Sequence, residues 1–125
     1  MKTNSIETKS FAFAIRIVRL YHYLCNEKQE SVLSKQLLRS GTSIGALIRD
    51  TKHAKTKAEF IHKTNMVEKD IYETIYWLEL LNETGYLAQD HFESLHSDAN
   101  DIIDQIAAMV KAPQLNTRRA AVSAS

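Results

Sequence analysis

Between Ser5 and Asn26, apolar residues recur at three- and four-residue steps in two registers at once. Phe11, Ile15, Val18, Tyr21 and Cys25 form one stripe; Phe13, Ile17, Leu20 and Leu24 form a second. This spacing is that of an α-helix, and it leaves polar residues only a narrow strip through Lys9, Arg16, Arg19 and Asn26. A helix with so little polar face has to be covered on more than one side. A four-helix bundle covers one broad side, so the pattern predicts that helix 1 also meets another subunit.

Three further helices follow from the same reading. Residues Asn26-Glu27-Lys28-Gln29-Glu30 make the first connection, and Ser31 is the expected N-cap of helix 2. The core stripe of that helix is Leu33, Leu37, Gly41, Ile44 and Ile48. Gly41 and Gly45 lie one turn apart beside it. Glycine costs ~1 kcal/mol relative to alanine inside a helix, so a close approach by a neighbouring helix is expected there. Helix 3 opens on the capping box Thr56-Lys57-Ala58-Glu59 and ends near Gly85, a length of roughly 40 Å. Thr64, Ile71 and Leu78 centre its inward face, flanked by Phe60, Ile61, Val67, Ile75 and Leu81. Tyr72, Tyr76 and Leu80, with Trp77 nearby, make a second flank. Helix 4 is read as starting on a cap at Asp90 with Glu93 at the N3 position, and Phe92, Leu95, Ala99, Ile102, Ile106 and Met109 repeat along it. Pro113 is the expected stop. Short connections imply antiparallel neighbours. The expected fold class is therefore all-α: an antiparallel up-down-up-down four-helix bundle over residues 1–112, with a disordered tail over 113–125.

Composition agrees with that picture. Three glycines and one proline in 125 residues are too few for the turns of a many-stranded protein. No apolar run approaches the ~20 residues of a membrane span, and the first residues lack an apolar signal core, so export is not expected. Cys25 is the sole cysteine, which excludes an internal disulfide and fits a reducing cytoplasm. Net charge is only +1, yet residues 1–69 hold 13 Lys/Arg against 6 Asp/Glu, and residues 70–125 hold 3 against 9. The basic half can attract phosphate or simply neutralise the acidic half of its own bundle.

Two Glu-x-x-His motifs, Glu59 to His62 and Glu93 to His96, raise the di-iron carboxylate bundle, which builds its metal pair from two such motifs. Here Glu59 and His62 fall roughly opposite the inward face of helix 3. Both motifs also open their helices, so in antiparallel neighbours they lie some ~30 Å apart. Capping explains both glutamates. Arg39-Ser40-Gly41-Thr42-Ser43-Ile44-Gly45 lacks the Gly-Lys-Ser/Thr ending of a phosphate-binding loop, and no strand precedes it. Cys25 sits in an apolar stretch, and nothing in the spacing assembles a nucleophile with a base. The expectation is a non-enzymatic protein without metal or cofactor.

The remaining candidate is a basic surface. Lys52, His53, Lys55, Lys57, His62 and Lys63 cluster at the junction of helices 2 and 3, and Lys35, Arg39 and Arg49 project from helix 2. Lys35, Arg39, Arg49, Lys52, Lys55, Lys57 and Lys63 are the expected contacts to an RNA or DNA backbone, with the N-terminus of helix 3 adding a favourable dipole. No RNA-recognition-motif strand, KH loop or zinc finger accompanies them. A protein partner docked on the surface is the alternative.

The run Ser34-Lys35-Gln36-Leu37-Leu38-Arg39-Ser40-Gly41-Thr42-Ser43-Ile44-Gly45-Ala46 resembles the signature of the bacterial four helix bundle protein family, which includes proteins encoded in intervening sequences of 23S ribosomal RNA genes. The resemblance continues through Lys57-Ala58-Glu59-Phe60-Ile61-His62-Lys63 and Glu73-Thr74-Ile75-Tyr76-Trp77-Leu78-Glu79-Leu80-Leu81, and covers roughly residues 10–110. The chain departs from the family pattern after the first block, where Leu47-Ile48-Arg49-Asp50 replaces the usual asparagine and acidic residue. The resemblance implies an antiparallel bundle that assembles into a homopentameric ring. It is also similar to the accessory variability protein of diversity-generating retroelements, which implies association with nucleic acid and with a protein partner.

Overall fold

A computed structural model of the chain describes the backbone of residues 5–124 and the side chains of residues 5–111. Four helices, α1 (Ile6–Glu27), α2 (Val32–Asp50), α3 (Lys57–Glu83) and α4 (Gln89–Ala124), account for nearly all of it, with one 3-10 turn, Thr51–His53, between α2 and α3. The expected stop at Pro113 and disordered tail over 113–125 fall outside the residues whose side chains are described, although the helix bounds run on to Ala124.

Each helix packs on the next, and α4 returns to α1. Cross-helix bonds give the directions. Lys52, just past α2, meets Glu7 at the start of α1, while Ser34 near the start of α2 faces Cys25 near the end of α1. Asp50 pairs with Lys63 and Ser40 with Thr74, so α3 runs against α2. Arg16 reaches both Ser94 and Asp98 on α4.

The core takes one stripe from each helix. Phe13, Ile17, Leu20 and Leu24 of α1 are buried, with Leu37, Ile44 and Ile48 of α2, Val67, Ile71, Leu78 and Leu81 of α3, and Leu95, Ala99, Ile102 and Ile106 of α4. Of the two stripes on α1, then, the bundle buries one. The other stays out: Phe11 is 54% exposed, and Ile15 and Val18 are each 37% exposed. Gly41 explains how α1 and α2 come so close. A β-carbon there would stand 2.9 Å from both γ-carbons of Ile17, and one on Gly45 would stand 3.4 Å from Ser10 Oγ.

Of the three caps expected from the sequence, Thr56 holds and the other two differ, while Ser5 adds one that was not expected. Ser5 caps α1 by accepting the Thr8 amide (3.1 Å), and Thr56 caps α3 by accepting the Glu59 amide (3.0 Å). The Glu59 carboxylate in turn accepts the amide of Lys55 (2.8 Å), one residue before the cap, rather than that of Thr56 as in a strict capping box. At α2 the expected cap, Ser31, makes no side-chain bond. Glu30 takes its place: the buried carboxylate accepts the amides of Val32, Leu33 and Ser34 at 3.1, 2.9 and 2.8 Å. It reaches all three because Gln29 turns the chain through a left-handed φ of 56°. At α4 the helix begins one residue before Asp90. Asp90 bonds the His91 amide and Glu93 bonds the Gln89 side chain, so no reciprocal box forms.

Candidate nucleic-acid interface

The outward stripe of α2 comes from its helical repeat. Lys35, Arg39, Thr42, Ala46 and Arg49 fall within a narrow arc opposite Leu37, Gly41, Ile44 and Ile48. Lys35, Arg39 and Arg49 are exposed along it, spanning about 21 Å from end to end. The chain then enters the 3-10 turn, where Lys52 is exposed, and Lys55 and Lys57 are exposed at the entry to α3. Lys57 opens α3, whose N-terminus carries the positive end of the helix dipole.

The seven cations are not equivalent. Lys52 Nζ lies 2.6 Å from Glu7 Oε1, and Lys63 Nζ lies 2.6 Å from Asp50 Oδ2. The Lys63 bond and charge draw the Asp50 carboxyl below its ordinary value, and the Asp50 bond holds the Lys63 ammonium above its own. Arg49 rests its guanidinium over the Phe11 ring, 5.3 Å from the centroid, a cation–π contact that leaves its outer edge available. Lys35, Arg39, Lys55 and Lys57 form no ion pair among the described residues. The corner thus divides: Lys52 and Lys63 are tied to the bundle's own carboxylates, and the other five residues are not.

Arg39 also borders a polar groove of about 570 Å³ between α2 and α3, lined by Gln36, Ser40, Thr42, Ser43, Asp70 and Glu73. Its floor is held by side chains. Thr74 Oγ1 bonds Ser40 Oγ at 3.0 Å, and Ser43 Oγ donates to the Asp70 carboxylate. The two carboxylates on its α3 wall make it a poor seat for phosphate. Among the described residues no three His, Cys, Asp or Glu side chains gather as a metal set, and no helix is long and apolar enough to cross a membrane.

A family model described as 23S rRNA-intervening sequence protein matches residues 2–108. The chain belongs to this family. A crystal structure from Bacteroides thetaiotaomicron, of a protein with unknown function from the S23 ribosomal protein family, is similar at 47% identity with a TM-score of 0.83, covering 86% of this chain and 99% of that one. No curated protein matches the chain.

For a 23S rRNA-intervening sequence protein, the Ser34–Ala46 block now has a physical reading. Ser34, Ser40 and Gly41 are buried. Ser34 Oγ bonds the Glu30 carbonyl at 2.8 Å, Ser40 joins Thr74 across to α3, and Gly41 and Gly45 admit α1. These positions hold α2 against both neighbours, while Lys35 and Arg39 of the same block face solvent. Leu47, where the family pattern departs, is partly buried against the core.

Proposed function

We propose that this protein is a non-enzymatic homo-oligomer whose α2 face and α2–α3 turn contact the phosphate backbone of RNA or DNA. One observation carries the reading: Lys35, Arg39, Arg49, Lys55 and Lys57 are all exposed, and none has a carboxylate partner among the described residues. The family name, tied to intervening sequences of 23S rRNA, supports RNA as the nucleic acid. If all five cations meet phosphates on a duplex, log affinity falls against log salt with a slope of about −4.5 per protomer, or roughly 500-fold between 50 and 200 mM. Fluorescence anisotropy with structured RNA and duplex DNA across that range tests it. Replacing Lys35, Lys55 and Lys57 with Glu should weaken binding to every sequence alike and flatten the slope by about three. No binding at ~50 mM salt overturns the reading.

Oligomerisation is supported by the outward stripe of α1, since exposed apolar patches of this kind mark association surfaces. The resemblance implies a ring of five. Light scattering decides: a lone 14.3 kDa species contradicts it.

A second reading has its own observation. Met66, Tyr72 and Tyr76 are exposed on the outer side of α3, an aromatic surface suited to a protein partner. A partner retained after nuclease treatment of a native lysate, and lost with Tyr72→Ala and Tyr76→Ala, favours docking over nucleic-acid binding.

A further inference from the structure

At the end of the bundle far from the basic turn, the exit of α1, the α3–α4 connection and the first turn of α4 enclose a pocket of about 250 Å³ lined by Tyr23, Lys28, Gly85, Tyr86, Leu87, Ala88 and His91. By the rise of α1 it lies about 30 Å from Lys52. We propose that this pocket binds a single unpaired nucleobase together with its phosphate.

Two features of the lining select that chemistry. Tyr23 and Tyr86 place two aromatic residues in the lining, with Leu87 and Ala88 adding apolar wall, and stacking on aromatic side chains tolerates any base. The ionisable residues besides the tyrosines are Lys28 and His91, and no carboxylate lines the space, although this half of the chain is acidic overall. Asp90, the nearest acid in sequence to His91, spends its carboxylate on the His91 amide at 2.8 Å. Size narrows the class further. The volume falls just below the ~300–1,000 Å³ of pockets that enclose whole drug-sized ligands, which suits one ring system.

The walls are set before any ligand arrives. Gly85 adopts a left-handed φ of 88°, which turns the chain sharply out of α3. The amides of Tyr86 and Leu87 both return to the Leu81 carbonyl, at 2.9 and 3.2 Å, and Asn82 Nδ2 donates to the Leu87 carbonyl at 2.9 Å. On the other side, the Lys28 amide bonds the Leu24 carbonyl at 3.2 Å. A pre-formed pocket loses less on binding than one that has to be ordered.

The ligand can be a free nucleotide or a base splayed from a single strand, and the test separates the two. Calorimetry with AMP and with adenosine is run beside anisotropy with single-stranded oligoadenylate, an abasic strand of equal length and a blunt duplex. Expected is binding of AMP, of the oligoadenylate or of both, weakened about tenfold (1.4 kcal/mol) by Tyr23→Ala and preserved in Tyr23→Phe. Tyr23 is exposed, so neither change threatens the core. Lys28→Ala should erase the preference for AMP over adenosine. AMP binding without strand binding identifies a free nucleotide, and the reverse identifies a single strand. Duplex and abasic-strand binding, which report the basic face of α2, should not change with Tyr23→Ala. The pocket is overturned if neither AMP nor the oligoadenylate binds, or if Tyr23→Ala leaves both unaffected. It stands if AMP binds while every strand fails, a result that sinks only the backbone reading.

Discussion

The two apolar faces of α1 are nearly matched in the sequence and opposite in the fold. Phe13, Ile17, Leu20 and Leu24 are sealed in the core, and Phe11, Ile15 and Val18 stand outside it. Hydrophobicity alone does not choose between them. The difference lies in what α2 offers: its Gly41 lets Ile17 approach so closely that a β-carbon there would stand 2.9 Å from both γ-carbons. A glycine on one helix thus favours the face of its neighbour that can seat against it, and leaves the other face of α1 outside the core.

The largest effects should fall on the inward face. Ile17→Ala is expected to cost ~2–5 kcal/mol by chemical denaturation. Gly41→Ala alone should destabilise by ~1–3 kcal/mol, since its β-carbon crowds Ile17. In the Ile17→Ala background the same Gly41→Ala change should stabilise, because it partly fills the gap and removes the ~1 kcal/mol cost of a helical glycine. A Gly41→Ala effect of one sign in both backgrounds would remove Gly41 as the selector.

The outward face should respond in assembly. Ile15→Asp with Val18→Asp is expected to keep helical content by circular dichroism while shifting sedimentation toward the monomer. An unchanged sedimentation profile breaks the contrast between the faces.

At the border between the faces, Arg16 bridges to Asp98 at 2.6 Å and Ser94 at 3.0 Å. Both charged side chains are partly exposed, so Arg16→Ala should cost at most ~1 kcal/mol, read in the same denaturation series.

The smallest effect lies off α1, in the surface pair Asp50–Lys63. The folded-state lowering of Asp50 adds stability above its unfolded value of ~3.9 and loses it as pH falls through the lowered folded value. The raised Lys63 adds stability below ~10.4 and loses it as pH rises through the folded value. Asp50→Asn should therefore lower the melting temperature slightly at pH 7 and no longer differ from wild type once the solution is more acid than the Asp50 folded value. A difference that persists there assigns the effect to packing.

The helices and their inward stripes were legible because a period of 3.6 over twenty residues is hard to imitate. Thr64, Ile71 and Leu78 are each fully buried, as the pattern required. The helix starts were less so. Ser31 is the preferred residue type for a cap, yet Glu30 performs the task, because a longer side chain reaches back once Gln29 takes a left-handed turn that sequence does not announce. The basic residues were found by type, but the sequence could not show that Lys52 and Lys63 are neutralised by Glu7 and Asp50, each from a distant position on the chain. The Tyr23–Tyr86 pocket was not legible at all. Its residues come from two separate stretches, 23–28 and 85–91, and only the antiparallel packing of the bundle brings them together.

The turn at Gln29 and Glu30 also bears on how the chain reaches this fold. With the seats at Gly41 and Gly45, it fixes the register of α1 on α2 through residues close along the chain, whereas Arg16 and Asp98 on the α1–α4 seam are 82 residues apart. Joining distant segments costs more chain entropy and comes later. The α1–α2 hairpin should therefore form before the α1–α4 seam closes. In stopped-flow kinetics Glu30→Ala should then chiefly slow refolding, and Arg16→Ala should chiefly speed unfolding.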